Sequence, residues 1–338
     1  AGNNSYSEVY NETGVIENVK NEGAISVTDS SQAKTGGIVG NNAGQVSKAE
    51  NTGAVTGTWH VGGILGYSNN SKNTAVINSE LHNSGTVTGI GAFSYVGGIV
   101  GQVFQGKFDD LSNGGTVTVN ATNAGYAGGI FGENDAALEF EKFNNSGTIK
   151  GNGWIGGIIG YNNGGAIKNS YNTGVVAGTG AGALQLLAGG IVGNNNSGSI
   201  TNVYNTGAVS ADKGTSTKTC FAGGIVAGNK GPIKNAYNMG SVTVENGAIG
   251  KGIVAAGNGT ITNAFYFDPS TQRYYDYDGA EYTSTEAFNQ SFMEGAAASG
   301  EQAAWLGYSD GRTTPQLQAF LSPLDVSIGN IEVEITDG

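Results

Sequence analysis

Gly156-Gly157-Ile158-Ile159-Gly160 is one of eight variants of a Gly-Gly-Ile-Val-Gly motif in this chain of 338 residues. The variants begin at Gly36, Gly62, Gly97, Gly128, Gly156, Gly189, Gly223 and, in a degenerate form, at Lys251. Self-similarity at intervals of 26 to 35 residues is typical of a solenoid or another repeat array. Because the motif consists mainly of glycine and aliphatic residues, it supplies a scaffold and almost no chemistry.

Two shorter motifs follow most copies and indicate the shape of one coil. A Gly-x-Val/Ile segment comes first, as in 165–167, and an Asn-x-Gly-x-Val/Ile segment follows, as in 172–176. The apolar anchors Ile158, Ile167 and Val176 are therefore nine residues apart. Segments this short, separated by glycine and asparagine, cannot form helices and are interpreted as β-strands. The sequence predicts an all-β, right-handed parallel β-helix with three faces, about nine coils of 26–35 residues and a small C-terminal α/β cap.

Stacking of coils explains how so few apolar residues form a core. One coil cannot bury its own Ile and Val, but neighbouring coils bury them against each other. With strands about 4.8 Å apart, such a stack gives a rod about 40 Å long. Asparagine tolerates the left-handed conformation at corners and can stack on the asparagine of the next coil. We therefore interpret the Asn-x-Gly asparagines as structural, together with a second ladder predicted at Asn41, Asn69, Asn134, Asn162, Asn194, Asn229 and Asn258.

These motifs resemble the GLUG-motif repeats of bacterial cell-surface proteins. The run GGIIGYNNGGAIKNSYNTG at 156–174 is close to that pattern, as is 189–209, and the resemblance covers about residues 10 to 267. It implies a large secreted or wall-anchored, adhesin-like bacterial protein. Such repeats also occur in the non-catalytic regions of immunoglobulin A metallopeptidases. The resemblance supplies no catalytic residues.

The chain divides into three segments. Residues 1–267 form the predicted solenoid, and 268–322 form a cap that covers the apolar end of the stack. Within the cap, Ser284 and Glu286 predict the start of a short helix that ends near Gly295. Residues 323–338 are a linker or the start of a further module, with an alternating strand over 326–335. We expect the chain to be part of a larger multidomain surface protein.

Composition narrows the range of partners. The chain has 15 Lys and Arg against 27 Asp and Glu, a net charge of −12, which disfavours binding to nucleic acid. No run of about 20 apolar residues is present, so membrane insertion is not expected. The lone Cys220 excludes an internal disulfide and is interpreted as a loop or core thiol. The expected location is the bacterial surface or the extracellular space.

Catalytic signatures are sparse. The sequence contains neither His-Glu-x-x-His nor Gly-x-Ser-x-Gly in the context of a nucleophile elbow. The densest acidic cluster, Glu133, Asp135, Glu139 and Glu141, is interpreted as a solvated edge. We therefore expect no enzyme activity. The alternative is a carbohydrate-active β-helix enzyme, a polysaccharide lyase or hydrolase, which would need paired carboxylates.

One short segment suits a hard cation. In 276–281, Asp276, Asp278 and Glu281 stand close to Gly279, as in a fragment of a Ca²⁺-binding loop. The remaining ligands of an EF-hand are missing. An ordinary Tyr-rich turn is the favoured interpretation, with a weak Ca²⁺ site as the alternative, and no other metal or cofactor is expected.

Insertions indicate where a ligand would bind. Extra residues concentrate between the Asn-x-Gly strand and the next Gly-Gly motif, in 89–96, 119–127, 178–188 and 211–222. Because coils stack, these loops should emerge along one edge, and such an edge is often the binding side of a solenoid.

A column of bulky residues stands two positions before the first glycine of each motif. Its candidate ligand-binding members are His60, Tyr95, Tyr126, Trp154 and Phe221. Facing outward, they would suit sugar rings or a partner protein. Parity along an unbroken strand instead puts them on the inward side with Ile38. A second column, Tyr171, Tyr204, Tyr237 and Phe265, is interpreted as packing.

The sequence thus favours a non-enzymatic extracellular module of adhesin type. It would act as a stalk, or bind host glycoprotein, mucin or polysaccharide through the loop edge.

Overall fold

The computed structural model describes residues 3–4, 6–7, 12–28, 32–69, 77–306 and 314–320. The chain winds into a right-handed parallel β-solenoid, as the repeat predicts. Four long sheets run along its axis, and each full coil contributes one short strand to each. The segment predicted over 323–338, including the strand at 326–335, lies outside the described residues.

We number the sheets in the order in which one coil visits them. Sheet 1 contains Lys34–Gly36, His60–Gly62, Phe93–Gly97, Ala124–Gly128, Trp154–Gly156, Leu187–Gly189, Phe221–Gly223 and Ile249–Lys251. Sheet 2 contains Asn3–Asn4, Val39–Asn42, Leu65–Asn69, Val100–Gln105, Phe131–Asn134, Ile159–Asn162, Val192–Asn195, Val226–Asn229 and Val254–Gly257.

Sheets 3 and 4 complete the coil. Sheet 3 contains Val15–Asn21, Gln45–Asn51, Ile77–Asn83, Lys107–Asn113, Glu139–Asn145, Ala166–Asn172, Ile200–Asn205, Ile233–Asn238 and Ile261–Asp268, followed by the antiparallel strands Arg273–Asp276 and Glu281–Tyr282. Sheet 4 contains Ile25–Ser26, Val55–Gly57, Val87–Gly89, Val117–Val119, Ile149–Gly151, Val176–Thr179, Val209–Asp212 and Val242–Glu245. Two antiparallel pairs lie outside them, Tyr6–Ser7 with Glu12–Thr13 and Trp305–Leu306 with Gln316–Leu317.

The Gly-Gly motif is not one continuous strand. In the second coil, His60–Gly62 belongs to sheet 1 and Leu65–Asn69 belongs to sheet 2, with a bend at Gly63 and Ile64. The spacing predicts three strands per coil, but the first of them is two strands that meet at a bend, so each full coil has four. This division sets the direction of every side chain before the bend.

The bend divides the interior into two apolar cores. Sheets 2 and 3 enclose the larger core, which includes Ile64 and Leu81. Sheets 4 and 1 enclose the smaller one, which includes Val61 and buried Cys220. Between the cores, the second glycine of the motif lies against the corner asparagine. A Cβ built on Gly98 would lie 2.5 Å from Cγ of Asn113. The two motifs of the repeat therefore meet in space.

The corner asparagines form a continuous hydrogen-bonded ladder. Each side-chain Nδ2 donates to Oδ1 of the next asparagine at 2.7–2.8 Å, through Asn21, Asn51, Asn83, Asn113, Asn145, Asn172, Asn205 and Asn238. The second predicted ladder runs through Asn134, Asn162, Asn195 and Asn229. It uses Asn195 in place of Asn194, which lies half-buried on the outer side. The structural interpretation is confirmed for the Asn-x-Gly asparagines and for Asn134, Asn162 and Asn229, whereas the places predicted for Asn41, Asn69, Asn194 and Asn258 in the second ladder are wrong.

Helix α1, Thr285–Ala298, packs on the outer side of sheet 3. It does not cover the apolar end of the stack, as was predicted for the cap, since Val244 of the last coil, in register with buried Ala211, is 39% exposed. Ser284 caps the helix, because its side chain accepts a hydrogen bond from the Ala287 backbone N–H. The helix continues three residues beyond the predicted end at Gly295, since that glycine packs directly on the solenoid. A Cβ on Gly295 would lie 2.1 Å from Oδ1 of Asn263. Two 3₁₀ turns follow, Gln302–Ala304 and Gln318–Phe320.

The cap lies over the outer side of sheet 3, where it meets the second aromatic column. Tyr171, Tyr204 and Tyr237 stack at 4.9 and 5.1 Å with rings almost parallel. Helix α1 and Trp305 pack against this column in a third apolar cluster. The interpretation of the column as packing is therefore confirmed.

Candidate functional site

The column of bulky residues before each motif lies on the outer side of sheet 1. Its members are in register from coil to coil, with His60 opposite Lys34 and Tyr95, and Tyr126 opposite Trp154. The residue that follows each of them is fully buried, as at Val61. Parity had placed the column on the inward side with Ile38, and that expectation is wrong. The strand bends at Gly-Gly, so the inward–outward alternation of side chains is not continuous across the motif. Residues before the bend therefore need not point to the same side as Ile38.

Four of the five candidate residues form one stack. Ring centroids are 5.3 Å apart for His60 and Tyr95, 5.1 Å for Tyr95 and Tyr126, and 4.8 Å for Tyr126 and Trp154. Interplanar angles of 14–21° mean that the rings face each other along the solenoid axis. The fifth candidate, Phe221, is separated from Trp154 by Leu187, which is 5% exposed.

A second row on sheet 2 packs against this stack. It consists of the residues that directly follow the motif, here Tyr67, Gln102, Glu133 and Tyr161. Tyr67 lies 5.2 Å from His60, and Tyr161 lies 5.3 Å from Tyr126, between ring centroids. We call the two rows together the aromatic face: Lys34, His60, Tyr95, Tyr126 and Trp154 of sheet 1 with Tyr67, Gln102, Glu133 and Tyr161 of sheet 2. The second row was not singled out from the sequence, although its fixed place after each motif was a signal for it.

Glu133 is a buried carboxyl group at the centre of the aromatic face. It is 7% exposed, and Nε2 of Gln102 donates to it and to Asp135 at 2.9 Å each. Desolvation, with a contribution from the charge of Asp135, raises the pKa of Glu133 to about 8. The solvated acidic edge expected here is therefore wrong for Glu133. It holds for Glu139 and Glu141, which are exposed on sheet 3.

The tyrosines around Glu133 are held in their neutral form. Burial raises the pKa of the Tyr95, Tyr126 and Tyr161 hydroxyls, and the charge of Glu133 raises it further. Their hydroxyl groups therefore remain hydrogen-bond donors across the physiological pH range.

The end of the aromatic face nearest the N-terminus is basic. His60 is 2% exposed, and neither ring nitrogen has a hydrogen-bond partner in the part of the chain that the structure describes. Burial and the charge of Lys34 lower the pKa of His60 to about 3, so the imidazole is neutral. Lys34 itself is exposed, with its ammonium group 3.9 Å from the ring centroid of Tyr67.

The inserted loops line the corner that precedes the aromatic face. They span 90–92, 120–123, 180–186 and 213–220, all between sheet 4 and sheet 1. The predicted single edge is therefore present. Ile90 and Phe93 are 43% and 49% exposed on it. Asn152 ties two coils together there through both backbone groups of Ala121.

The three carboxylates considered for Ca²⁺ do not converge. Asp276 accepts a hydrogen bond from the Ala280 backbone N–H, and Glu281 pairs with Arg273. Among the described residues, no group of three or more His, Cys, Asp or Glu side chains could hold a metal ion. The segment is a Tyr-rich β-hairpin turn, and the Ca²⁺ alternative at Asp276, Asp278 and Glu281 is wrong.

Comparison of the chain with family models, curated proteins and solved structures finds no match. In the described part of the chain, no helix is long and apolar enough to cross a membrane.

Proposed function

We propose that this chain is a non-enzymatic extracellular module of a bacterial surface protein, of the GLUG-repeat type, that binds an extended glycan. Host glycoprotein, mucin or polysaccharide is the expected partner, and the solenoid holds the site away from the surface as a stalk. The sequence resemblance supports the surface location, and the aromatic face supports the choice of ligand.

The observation that carries the proposal is the register of the aromatic face. Four consecutive coils place His60, Tyr95, Tyr126 and Trp154 in one straight row. Stacking occupies the ring faces, which leaves ring edges and polar groups of half-buried side chains at the surface. A linear row of neutral hydrogen-bond donors suits a linear, hydroxyl-rich ligand. The exposed loops beside the row extend the same surface.

Binding to a glycan and mucin array tests the proposal. The informative variant is Tyr95→Phe/Tyr126→Phe/Tyr161→Phe, because it keeps the ring packing and removes only the hydroxyl groups. We expect wild type to bind and this variant to bind at least about tenfold more weakly, a loss of about 1.4 kcal/mol. The matched control is Tyr277→Phe, which changes an exposed tyrosine in the cap. Failure of the wild-type protein to bind any glycan would refute the binding function.

A second candidate function is a carbohydrate-active enzyme, and Glu133 is the observation that favours it. A carboxyl group with a pKa of about 8 is protonated at neutral pH, as a general acid must be. Asp135 shares Gln102 with it, so a second carboxyl group is close. In glycoside hydrolysis, one such group protonates the leaving oxygen while the other assists the attack on the sugar.

Release of reducing ends from a polysaccharide panel separates the two functions. Turnover by wild type that is lost in Glu133→Gln and retained in Glu139→Gln would establish the enzyme and overturn the non-enzymatic proposal. Glycan binding without turnover in all three proteins is the expected result.

A further inference from the structure

We propose that the Lys34 end of the aromatic face binds the anionic group of an acidic saccharide, a carboxylate or a sulfate ester. This inference rests on the proposed glycan-binding function and adds the class and orientation of the ligand. It is carried by two side chains in neighbouring coils, Lys34 and His60.

Lys34 offers a cation that has no anionic partner in the described part of the chain. Its ammonium group makes no hydrogen bond or ion pair with the residues that the structure describes, and its contact is the ring of Tyr67. Some other outward lysines form ion pairs, such as Lys48 with Glu17 and Lys168 with Glu139. Lys34 instead lies beside the buried ring of His60, whose nitrogens have no hydrogen-bond partner within the described ranges. A cation–π contact at an exposed site is a weak interaction. A hydrogen bond to a carboxylate or sulfate would be the stronger interaction.

His60 offers a buried N–H donor that has no acceptor among the described residues. It is opposite Lys34 in the sheet, and its ring stacks on Trp59 at 3.9 Å and on Tyr95 at 5.3 Å. A neutral imidazole carries one N–H group, and a buried donor without an acceptor is destabilising. An oxyanion held by Lys34 would satisfy this group. Access requires a shift of Lys34 or half-buried Trp59, which are its less buried neighbours.

The charge along the aromatic face orients such a ligand. The whole chain has a net charge of −12 and repels anions in general. The acidic group of a bound saccharide is therefore expected beside a local cation such as Lys34. Farther along the same face, Glu133 lies in register between Gln102 and Tyr161 of the adjacent coils. Its raised pKa keeps this carboxyl group uncharged at neutral pH. The acidic group of the glycan should therefore lie at Lys34, with its neutral sugars along Tyr95 and Tyr126.

The test compares probes that differ only in the acidic group: lactose, sialyllactose and sulfated lactose. Binding to the full chain is measured by calorimetry for wild type, Lys34→Met and His60→Phe. Methionine keeps much of the apolar stem and phenylalanine keeps the ring stack. Lys251→Met, a change at an exposed lysine of the last coil, is the matched control. We expect the acidic probes to bind at least about tenfold more tightly than lactose, with this preference lost in Lys34→Met and reduced in His60→Phe.

An independent measurement follows the His60 ring by ¹⁵N NMR. A bound anion favours the imidazolium form, so the acidic probes should raise the pKa of His60 while lactose leaves it near 3. A merely structural histidine would not respond in this way. If the acidic and neutral probes bind equally in wild type and Lys34→Met, this inference is wrong and the glycan-binding proposal stands. If no probe and no arrayed glycan binds, both are wrong.

Discussion

At the scale of single residues, the second glycine of each motif has no room for a side chain. A Cβ on Gly98 would lie 2.0 Å from the carbonyl oxygen of Gly129 and 2.6 Å from Oδ1 of Asn113. Both neighbours are fixed, one by the backbone of the next coil and the other by the asparagine ladder. The repetition of this glycine therefore follows from close packing between coils.

We expect Gly98→Ala to lower the free energy of unfolding by about 1–3 kcal/mol, because the new methyl group has to displace a backbone carbonyl. Urea denaturation followed by circular dichroism measures the loss. Gly114→Ala is the matched control, since its nearest neighbour would be 3.6 Å away, and its effect should stay within about 0.5 kcal/mol. Equal losses in the two variants would show that the motif glycine is not needed for packing.

Glu133 should make stability depend on pH. Its pKa is raised from 4.5 to about 8 in the folded chain, so the folded state binds the proton more tightly than the unfolded state does. The resulting stabilisation is complete below about pH 4.5 and is lost as the pH rises through about 8. The urea midpoint of wild type relative to Glu133→Gln should fall across this range. Glu139→Gln, at an exposed carboxylate, is the control, and a constant difference between wild type and Glu133→Gln would contradict the burial of Glu133.

At the scale of elements, the footprint of the cap is visible as a change of residue type along sheet 3. One outward column consists of polar residues, Lys20, Glu50, His82, Ser112 and Asn144, and then of aromatic residues, Tyr171, Tyr204, Tyr237 and Phe265. A neighbouring column in the left-handed conformation begins with Asn18, continues with the charged residues Lys48, Glu80, Asp110 and Lys142, and then changes to Asn169, Asn202, Asn235 and Asn263. Three of these asparagines bond to the cap: Asn202 to Glu301, Asn235 to Ser299, and Asn263 to the carbonyl of Phe292. This change in residue type marks the part of sheet 3 whose outer side is covered by the cap.

We expect Trp305→Ala to release the cap without unfolding the solenoid. Trp305 is 3% exposed, packs 4.8 Å from Phe292 and donates a hydrogen bond to Asn202. Truncation of a buried tryptophan costs about 3–5 kcal/mol. Hydrogen exchange measured by mass spectrometry should show faster exchange in α1 and unchanged protection in 97–128. Tyr277→Ala, at an exposed position, should change neither region, and protection of α1 that survives Trp305→Ala would refute this docking.

The elements also show why the coil was predictable and the aromatic face was only partly so. Regular spacing of Ile158, Ile167 and Val176 determines the coil, because each anchor must be buried, the first two in the larger core and Val176 in the smaller one. The orientation of Tyr126 depends instead on a bend within the motif, which spacing along the chain does not reveal. Burial of Glu133 depends on Tyr126 and Tyr161, two residues from different coils that meet only after the sheets fold together.

At the scale of the whole molecule, the coils form a one-dimensional array in which each coil contacts its neighbours in the stack. The sheets record this order, since each parallel strand pairs with the equivalent strand of the adjacent coils. In such an array stability is close to a sum of coil terms and interface terms. A substitution in an interior coil affects two interfaces, whereas the same substitution in the terminal coil affects one.

The asparagine ladder allows this property to be measured with one type of substitution. Asn113 is 1% exposed, donates to Asn145 and accepts from Asn83, whereas Asn21 is half-buried and its ladder bond is the one that it donates to Asn51. Asn113→Ala leaves buried groups unpaired on both sides and should cost at least about 2 kcal/mol, while Asn21→Ala should cost less than about 1 kcal/mol. Urea midpoints at constant m-value give both numbers. Because the chemical change is identical, equal losses would mean that the ladder does not couple the coils, and a larger loss at Asn113 would measure that coupling.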